Sequence, residues 1–257
     1  MRLEQWRVTA RNLAEHAVNP IHTDDGAQAA GFPRALVAGV TTYAYLTHPV
    51  VSAWGHDWLS GGSAHVRFRA PVFLDDVVLC SPSAEGVRVG SGDGADCADN
   101  HATVSALVDG EARVTVDARR VDGSPPEPPR SGEALRTRHV LLEGEFGDQY
   151  GLRAGDDLDF YTRLGVVHPA VWPALANHLV HTEVANGSWI HTSSAIRHHA
   201  VGRVGGTADI SAVVVRRLES AAGVRAVLDV RIEIEGTLVA TLEHHAIVDM
   251  TRRSLPR

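Results

Sequence analysis

The residues of this chain best suited to chemistry are Asn19-Pro20-Ile21-His22, at the start of the segment NPIHTDDGAQAAGFPRALVAG. Proline restricts its own φ and the conformation of the preceding residue, so an Asn-Pro turn holds the following histidine on a stiff loop. Histidine has an unperturbed pKa of about 6.5 and can act as a base near neutral pH. Gly39 lies in the apolar helical stretch that is predicted to begin at Leu36. The pattern predicts proton transfer by His22.

The same segment resembles the signature of the MaoC-like dehydratases and (R)-specific enoyl-CoA hydratases. That signature reads approximately Gly-Asp-x-Asn-Pro-(Ile/Leu)-His, followed by a Gly-Phe pair and an oxyanion glycine. Residues 19–22 match it consecutively, and Gly31-Phe32-Pro33 and Gly39 follow if one deletion is allowed. The pattern Arg-Phe-x-x-Pro-Val at 67–72 is similar to the family's next strands. The resemblance covers the first half of the chain and extends to the second half only as a shared strand pattern.

The resemblance implies a hydro-lyase that adds water to an enoyl thioester or removes it from a 3-hydroxyacyl thioester. It implies that His22 is the base, that the Gly39 amide at a helix N-terminus holds the oxyanion, and that Asn19 orders the loop or a water. The acyl carrier would be coenzyme A or an acyl-carrier protein, and neither a cofactor nor a metal is expected. Substrate contacts are predicted for Phe32, Val40, Tyr43 and His178. Arginines 34, 67 and 69 could pair with phosphates, although isolated arginines are usually solvated.

The chain departs from the family where the catalytic aspartate is expected. That position, five residues before His22, is Ala17, and the preceding family glycine is His16. Losing one member of an acid/base pair costs on the order of 10²–10⁴ in rate if nothing replaces it. The candidate replacements are polar residues near the motif or on the long helix of the second half, namely Glu15, His16, Asp24, Asp25, Asn177, His178 and His181.

Two functions of different class follow from this departure. The retained His22 favours an enzyme, either a hydratase or dehydratase, or a related proton-transfer enzyme for isomerisation or cyclisation in bacterial specialised metabolism. The missing carboxylate at Ala17 favours a catalytically silent acyl-thioester binder, or a subunit that completes another protein's site. A thioesterase is a third alternative, but the long helix carries no acidic group where that chemistry would need one.

A proline-rich segment divides the chain into two similar halves. The segment VDGSPPEPPRSGEA, residues 121–134, has four prolines in five positions, and proline lacks the amide hydrogen that a helix or sheet requires. We therefore predict an N-terminal unit over 1–121, a linker over 122–134 and a C-terminal unit over 135–257. Only the first unit carries the Asn-Pro-x-His motif.

Each half reads as one apolar helix followed by antiparallel strands. The helices are predicted over 36–53 and 168–185, with Pro173 starting or bending the second. Asp109-Gly110 is a favoured type I′ hairpin signal, and Glu235-Gly236 occupies the equivalent place between two strand-like runs. A helix with so few charges must be covered nearly all round, which a curved sheet achieves. The pattern thus predicts an α+β tandem, or double, hotdog fold, with a generic α+β sandwich as the alternative.

Composition excludes several classes of protein. The formal net charge of −7 argues against nucleic-acid binding, which needs a basic face. No apolar run approaches the ~20 residues of a membrane span, and the N-terminus lacks a signal-peptide centre, so we expect a cytoplasmic protein. Two cysteines, Cys80 and Cys97, are too few for a disulfide framework. The 15 histidines lack a metal-ligand spacing. A homodimer is left open.

Overall fold

The computed structural model describes residues 3–83 and 100–250, so Cys97 lies outside the described residues. Within these ranges the helices are α1 (Asp24–Ala29), α2 (Gly39–Gly61), α3 (Tyr150–Ala154), α4 (Phe160–Leu164) and α5 (Val171–Leu179). The strands are β1 (Trp6–Thr9), β2 (Ser63–Phe68), β3 (Val77–Ser83), β4 (His101–Val108), β5 (Glu111–Arg119), β6 (Glu133–Ala134), β7 (Arg138–Leu141), β8 (Ile190–His198), β9 (Thr207–Ser220), β10 (Gly223–Ile234) and β11 (Thr237–Met250). Short 3₁₀ turns occupy Ala14–Val18, Pro20–His22 and Gly144–Phe146, and a π-helical turn over Val180–Val184 extends α5.

The strands of the described chain form one antiparallel sheet that runs through both halves. Their order is β1-β3-β4-β5-β2-β8-β11-β10-β9-β6, and β7 also pairs with β9. In each half, the strand that follows the long helix lies at the centre of the sheet and pairs with the last strand of that half. The halves join where β2 pairs with β8, with Ala64 opposite Ile196 and Val66 opposite Ser194. The repeated pattern in the sequence is therefore a repeated structural unit.

Helix α2 is the core of the first half. It is buried along most of its length and packs on strands β1 to β5 of its own half and on β8 and α5 of the other. Its predicted end at residue 53 is wrong, because the helix continues to Gly61 through a kink at Gly55, where φ is +49°. A positive φ is accessible to glycine at little cost, so the chain bends there without ending the helix. No helix in the ranges that the structure describes is long and apolar enough to cross a membrane.

The second half has a shorter helix and additional small elements. Helix α5 begins at Val171 with Pro173 in its first turn, where proline costs no hydrogen bond, so the predicted role of Pro173 is confirmed. The short elements between residues 133 and 164, α3 and α4 among them, were not predicted. They are too short for a periodic pattern to reveal them, yet α3 packs against α2 and brings Tyr150 and Arg153 toward the first half.

The predicted turns occur where the sequence indicates them. Asp109 and Gly110 have φ values of +52° and +81°, and Glu235 and Gly236 have values of +51° and +76°, as type I′ turns require. Residues 120–132 form no helix or strand. The backbone N–H of Arg130 in this segment donates to an Asp229 carboxylate oxygen at 2.8 Å, so the proline-rich connector lies along the outer face of the second half. The unit boundaries at 121 and 134 remain a prediction.

Three buried histidines lie on β8 and β11. Desolvation lowers the pKa of His191 and of His198 to about 3, and that of His244 well below its ordinary value of 6.5. His198 stacks edge-on against Trp58, and neither of its ring nitrogens has a hydrogen-bond partner among residues 3–83 and 100–250. These rings are therefore neutral in the folded protein at pH 7.

We expect the free energy of unfolding to fall as the pH drops below about 6.5, because the unfolded chain then binds protons that the buried rings exclude. Above about pH 6.5 the stabilising contribution of the buried rings is fully present. Below it, each buried neutral histidine lowers the free energy of unfolding by about 1.4 kcal/mol per pH unit. The measurement is urea unfolding at several pH values. The His198→Phe variant should reduce the dependence of the free energy of unfolding on pH by the equivalent of about one bound proton. The His56→Ala variant, which changes an exposed position, should leave this dependence unchanged. Equal slopes in all three proteins would contradict this account.

Candidate functional site

The loop that carries His22 is held by short-range contacts within residues 19–26. The 3₁₀ turn Pro20–His22 leads directly into α1, which is capped by Thr23: its hydroxyl accepts a hydrogen bond from the Gly26 N–H at 3.2 Å and donates to the Pro20 carbonyl at 2.8 Å. Gly26 lies against that same turn, since a Cβ there would be 2.1 Å from the Pro20 carbonyl oxygen. The turn is therefore clamped between the cap and the helix it precedes.

One hydrogen bond fixes the tautomer of His22. Its Nδ1 lies 2.8 Å from the Leu36 carbonyl oxygen, which can only accept, so Nδ1 carries the proton and Nε2 is left as a bare lone pair. No residue in the described part of the chain bonds to Nε2. Desolvation lowers the pKa of His22, and this effect is larger than the opposing effect of the hydrogen bond to the Leu36 carbonyl. At neutral pH His22 is an uncharged imidazole whose basic nitrogen is free.

Asn12 ties the motif loop to the start of α2, and sequence reasoning missed it. Its side-chain NH₂ donates to the carbonyls of Leu36 at 2.9 Å and His22 at 3.3 Å, and its oxygen accepts from the Ala38 N–H at 3.2 Å. A single amide thus holds the backbone on both sides of the His22–Leu36 hydrogen bond. The only sequence signal was an asparagine outside any turn pattern.

Gly39 is the first residue of α2, so its amide N–H has no acceptor within the helix. A Cβ at this position would lie 3.1 Å from the ring of Phe68 and 3.4 Å from Nδ1 of His191. The absence of a side chain keeps the helix start close to its neighbours and leaves the amide accessible, as the predicted oxyanion role requires.

Two neighbouring cavities open beside this loop. The first, of about 350 Å³, is the His16 cavity, which is lined mainly by residues of the 14–22 region, α3 and α5. The second, of about 320 Å³, is the Gly39 cavity, which is lined by Gly39, Phe32, residues 68–72 and the start of β8. Both cavities share the residues Asn19, His22, Asn177 and Trp189. His22 therefore stands at the junction of two spaces of substrate size.

The junction also gathers buried polar atoms that lack partners. Asn19 donates its NH₂ to the Trp189 carbonyl at 2.9 Å, which joins the motif loop to the second half of the chain. The side-chain oxygens of Asn19 and Asn177 and the indole N–H of Trp189 have no hydrogen-bond partner in the described ranges. Buried polar groups are nearly always paired, so unpaired ones that converge on a cavity point to a ligand that completes them.

The departure at Ala17 has a structural counterpart. Ala17 lies on the exposed side of the 3₁₀ turn Ala14–Val18 and lines neither cavity. The two preceding residues, Glu15 and His16, line the His16 cavity instead. The Glu15 carboxylate pairs with Arg153, and the His16 ring lies 6.1 Å from that of His22, centroid to centroid. Of the polar residues near the motif, these two reach the site, whereas Asp24 binds the Ala35 N–H and, like Asp25, lines neither cavity.

The predicted substrate contacts divide between the two cavities, with one exception. Phe32 lines the Gly39 cavity, and Val40 and His178 line the His16 cavity, as does His181. Tyr43 lines neither, because its position on α2 turns it into the core, where it is fully buried. The prediction of a substrate contact at Tyr43 is therefore not supported. Among the arginines, Arg69 lines the Gly39 cavity, while Arg34 and Arg67 form ion pairs with Asp76 and Asp117.

A buried hydrogen-bonded chain on the second half reaches the Gly39 cavity. His191 lines this cavity and bonds through Nε2 to the Ser194 hydroxyl at 2.8 Å, which in turn bonds Nδ1 of His244 at 2.9 Å. The rings of His191 and His244 stack 4.2 Å apart. The sequence shows the two histidines only as members of an excess of histidines, because His244 on β11 becomes a neighbour of His191 and Ser194 only when β8 pairs with β11.

His48, Asp156 and Asp157 are a group of close potential metal ligands in the described chain, within 4.8 Å of one another. His48 already bonds the Asp157 carboxylate at 2.8 Å, and Asp156 accepts from His168 Nε2 at 3.2 Å. None of the three lines either cavity. We interpret these contacts as hydrogen bonds that stabilise the packing of the residue 156–168 segment on α2.

The part of the chain that holds the motif matches the model of a known protein family. Residues 9–106 match the model of the MaoC like domain. This segment therefore resembles a MaoC-like domain. The match includes His22, Gly39, α2, β2, β3 and most of β4. No curated protein sequence matches the chain significantly.

Solved structures resemble the whole chain, not only the segment that matches the MaoC like domain. A conserved hypothetical protein from Mycobacterium tuberculosis, described as having a double hotdog fold, aligns at 11% identity over 96% of both chains with a TM-score of 0.66. A protein described as a MaoC domain dehydratase from Chloroflexus aurantiacus aligns at 14% identity over 98% of this chain and 96% of its own, with a TM-score of 0.61. One described as a thioesterase from Novosphingobium aromaticivorans aligns at 13% identity over 96% of this chain and 97% of its own, with a TM-score of 0.54. The predicted α+β double hotdog fold is thereby confirmed, and at these identities the comparison shows fold alone.

The contact between Gly26 and Pro20 in the segment that matches the MaoC like domain gives a test of loop placement. We expect Gly26→Ala to push the Pro20 turn outward and shift His22, which should lower any His22-dependent activity by about 100-fold, because small displacements of a reacting group are that costly. Gly61→Ala is a matched control, since a Cβ there meets nothing within 4 Å. Circular dichroism and activity of both variants would check this. Full activity in a folded Gly26→Ala protein would refute the clamped-loop description.

Proposed function

We propose that this protein is a hydratase or dehydratase of acyl thioesters, adding water to an enoyl thioester or removing it from a 3-hydroxyacyl thioester. One observation carries the proposal: the free Nε2 of His22 and the helix-initiating Gly39 line the same cavity. Proton transfer at the carbon next to a thioester carbonyl needs a base at that carbon and a donor at the carbonyl oxygen. The MaoC-like domain match supports the same reaction class.

The elimination is derived from the groups at the junction. His22 Nε2 removes the proton from the α-carbon, and the C–H electron pair moves toward the carbonyl, whose oxygen accepts a hydrogen bond from the Gly39 amide. The pair then forms the Cα–Cβ double bond as the β-hydroxyl leaves. The imidazolium of His22 returns its proton to the departing hydroxide, which leaves as water. The histidine is neutral again at the end, so the cycle needs no external acid, oxidant or cofactor.

The junction also provides for the rest of the substrate. The carrier arm would occupy one cavity and the acyl group the other, because the reacting carbons must lie where both meet at His22. Arg69 at the Gly39 cavity could face a phosphate-bearing carrier, either coenzyme A or an acyl-carrier protein. The unpaired side-chain oxygens of Asn19 and Asn177 are suited to accept hydrogen bonds from amide groups of the carrier arm or from the β-hydroxyl.

A silent acyl-thioester binder is the second candidate, and the exposed Ala17 is the observation that favours it. Such a protein would use the same cavities and the same unpaired polar atoms without turnover. A thioesterase would use the cavities as well, but it would release the free thiol of the carrier. The same assay separates the three functions, because loss of enoyl absorbance, release of thiol and binding alone are different signals.

Replacing His22→Ala should abolish hydration of crotonyl-CoA, lowering kcat by about 10³ or more, since the base and the proton donor are the same group. The readout is the absorbance of the conjugated enoyl thioester, with thiol release followed in parallel. His56→Ala, at an exposed position away from the cavities, is the matched control and should retain full activity. Tight binding by the unmodified protein with no turnover in either direction would replace this proposal with the silent binder.

The lowered pKa of His22 fixes the sign of the pH dependence. Only the neutral imidazole can accept the α-proton, so kcat/KM should rise with pH through the pKa of His22 and level off above it. Burial places that pKa below 6.5, and activity should therefore already be on its plateau at pH 7. The pH profile of kcat/KM checks this. An acid limb with its midpoint above 6.5 would be inconsistent with a desolvated His22 as the base.

A further inference from the structure

Resting on the proposed function, we infer that His16 takes the place of the missing carboxylate, and that His16 and His22 hold the reacting water between two neutral imidazole nitrogens. The observation behind it is their juxtaposition: both rings line the His16 cavity, with centroids 6.1 Å apart. His16 occupies the position of a glycine in the family signature, and the usual acid position next to it, Ala17, is exposed.

The Nδ1 atom of each ring has a hydrogen-bond partner, and the Nε2 atom of each ring is free. His16 Nδ1 lies 3.3 Å from the hydroxyl oxygen of Thr41, a buried residue of α2, while His22 Nδ1 donates to the Leu36 carbonyl. In the tautomer in which His16 Nδ1 donates to the Thr41 hydroxyl, both Nε2 atoms are acceptors, and neither has a partner in the portion of the chain that the structure describes. A water has two protons to donate, so two acceptors on facing rings fix its orientation and direct a lone pair at the substrate.

The charge state of His16 suits this role and not that of a proton carrier. Desolvation, and then the proximity of His22 and Arg153, lowers the pKa of His16 to about 3. The ring stays neutral through the physiological range and accepts a hydrogen bond without taking the proton. In hydration, His22 Nε2 removes one proton of the water while its oxygen bonds to Cβ, and the electron pair of the double bond moves to the carbonyl. His22 then delivers the same proton to Cα, so oxygen and both hydrogens are accounted for.

Glu15 is the competing replacement, and its contacts argue against it. Arg153 forms an ion pair with its carboxylate and also donates to the Glu145 carbonyl at 3.1 Å, which fixes the pair at the cavity wall. The Glu15 carboxylate therefore already accepts a hydrogen bond from the Arg153 guanidinium. The uncommitted nitrogen of His16 is the better acceptor for a water beside His22.

The first test compares His16→Ala with His16→Gln in the hydration of crotonyl-CoA. We expect His16→Ala to lower kcat by about 10- to 100-fold with KM changed by less than about threefold, because the water is lost as an oriented reactant while the thioester still binds. His16→Gln keeps an acceptor oxygen on a side chain of similar length and should recover most of that loss. A purely structural role for the ring predicts no such recovery.

The second test uses the pH profile, which a structural role would not move. A carboxylate introduced by His16→Asp would stand beside His22 and stabilise its imidazolium, raising the pKa of His22, so the acid limb of kcat/KM should shift to higher pH. Ala17→Asp is the matched control: the same residue type enters one position later on the exposed side of the turn, and neither kcat nor the acid limb should change.

The outcomes separate this inference from the function on which it rests. Turnover that is lost in His22→Ala and unchanged in His16→Ala would overturn the role of His16 and leave the proposed function standing. Loss of activity in Glu15→Gln but not in His16→Ala would assign the water to Glu15. A large gain of activity in Ala17→Asp would show that the site still needs the family's carboxylate, which also overturns the inference. An inert unmodified protein would overturn the proposed function itself.

Discussion

The hydrogen bond from His22 Nδ1 to the Leu36 carbonyl is the contact on which the rest of the site depends. It decides which nitrogen of the ring is basic, and it sets the distance between the motif loop and the start of α2. Asn12 reinforces it by holding both backbone partners, and the Thr23 cap with Gly26 holds the Pro20 turn. Without this alignment, a histidine after an Asn-Pro turn would be an ordinary surface residue.

Burial decides the electrostatic character of the site. The junction is closed by the second half, whose Trp189 carbonyl binds Asn19 and whose Asn177 projects from α5. This cover removes water from the rings of His16 and His22 and lowers the pKa of both. The second half lacks a motif of its own, yet it provides the low-dielectric wall that makes neutral imidazole the stable form. Shielding and polar contacts are its contribution to the chemistry.

A site with two imidazoles differs in its electrostatics from a site with a carboxylate and an imidazole. An aspartate beside a histidine stabilises the imidazolium and costs desolvation of a charge, whereas two neutral rings carry no charge into the cavity. The same preference recurs nearby, where His191, Ser194 and His244 form a neutral hydrogen-bonded chain behind Gly39.

The sequence by itself determined the repeated helix-and-strand pattern, both type I′ turns, the proline-rich connector and the residues His22, Gly39 and Asn19 that line the site. These follow from local physics: strand alternation, glycine conformations and the stiffness of an Asn-Pro turn. The burial of Tyr43, the extension of α2 past Gly55, and the short helices α3 and α4 did not follow, because each depends on packing against residues distant in sequence.

Only the tertiary structure decided which neighbour of Ala17 reaches the cavity. Glu15, His16 and Ala17 are consecutive, and their sequence is compatible with any of the three facing inward. The orientation of the 3₁₀ turn Ala14–Val18, set by the ion pair of Glu15 with Arg153 and the contact of His16 with Thr41, turns the first two toward the cavity and leaves Ala17 exposed. Those partners lie on α2 and α3, and a sequence pattern carries no information about contacts across such separations.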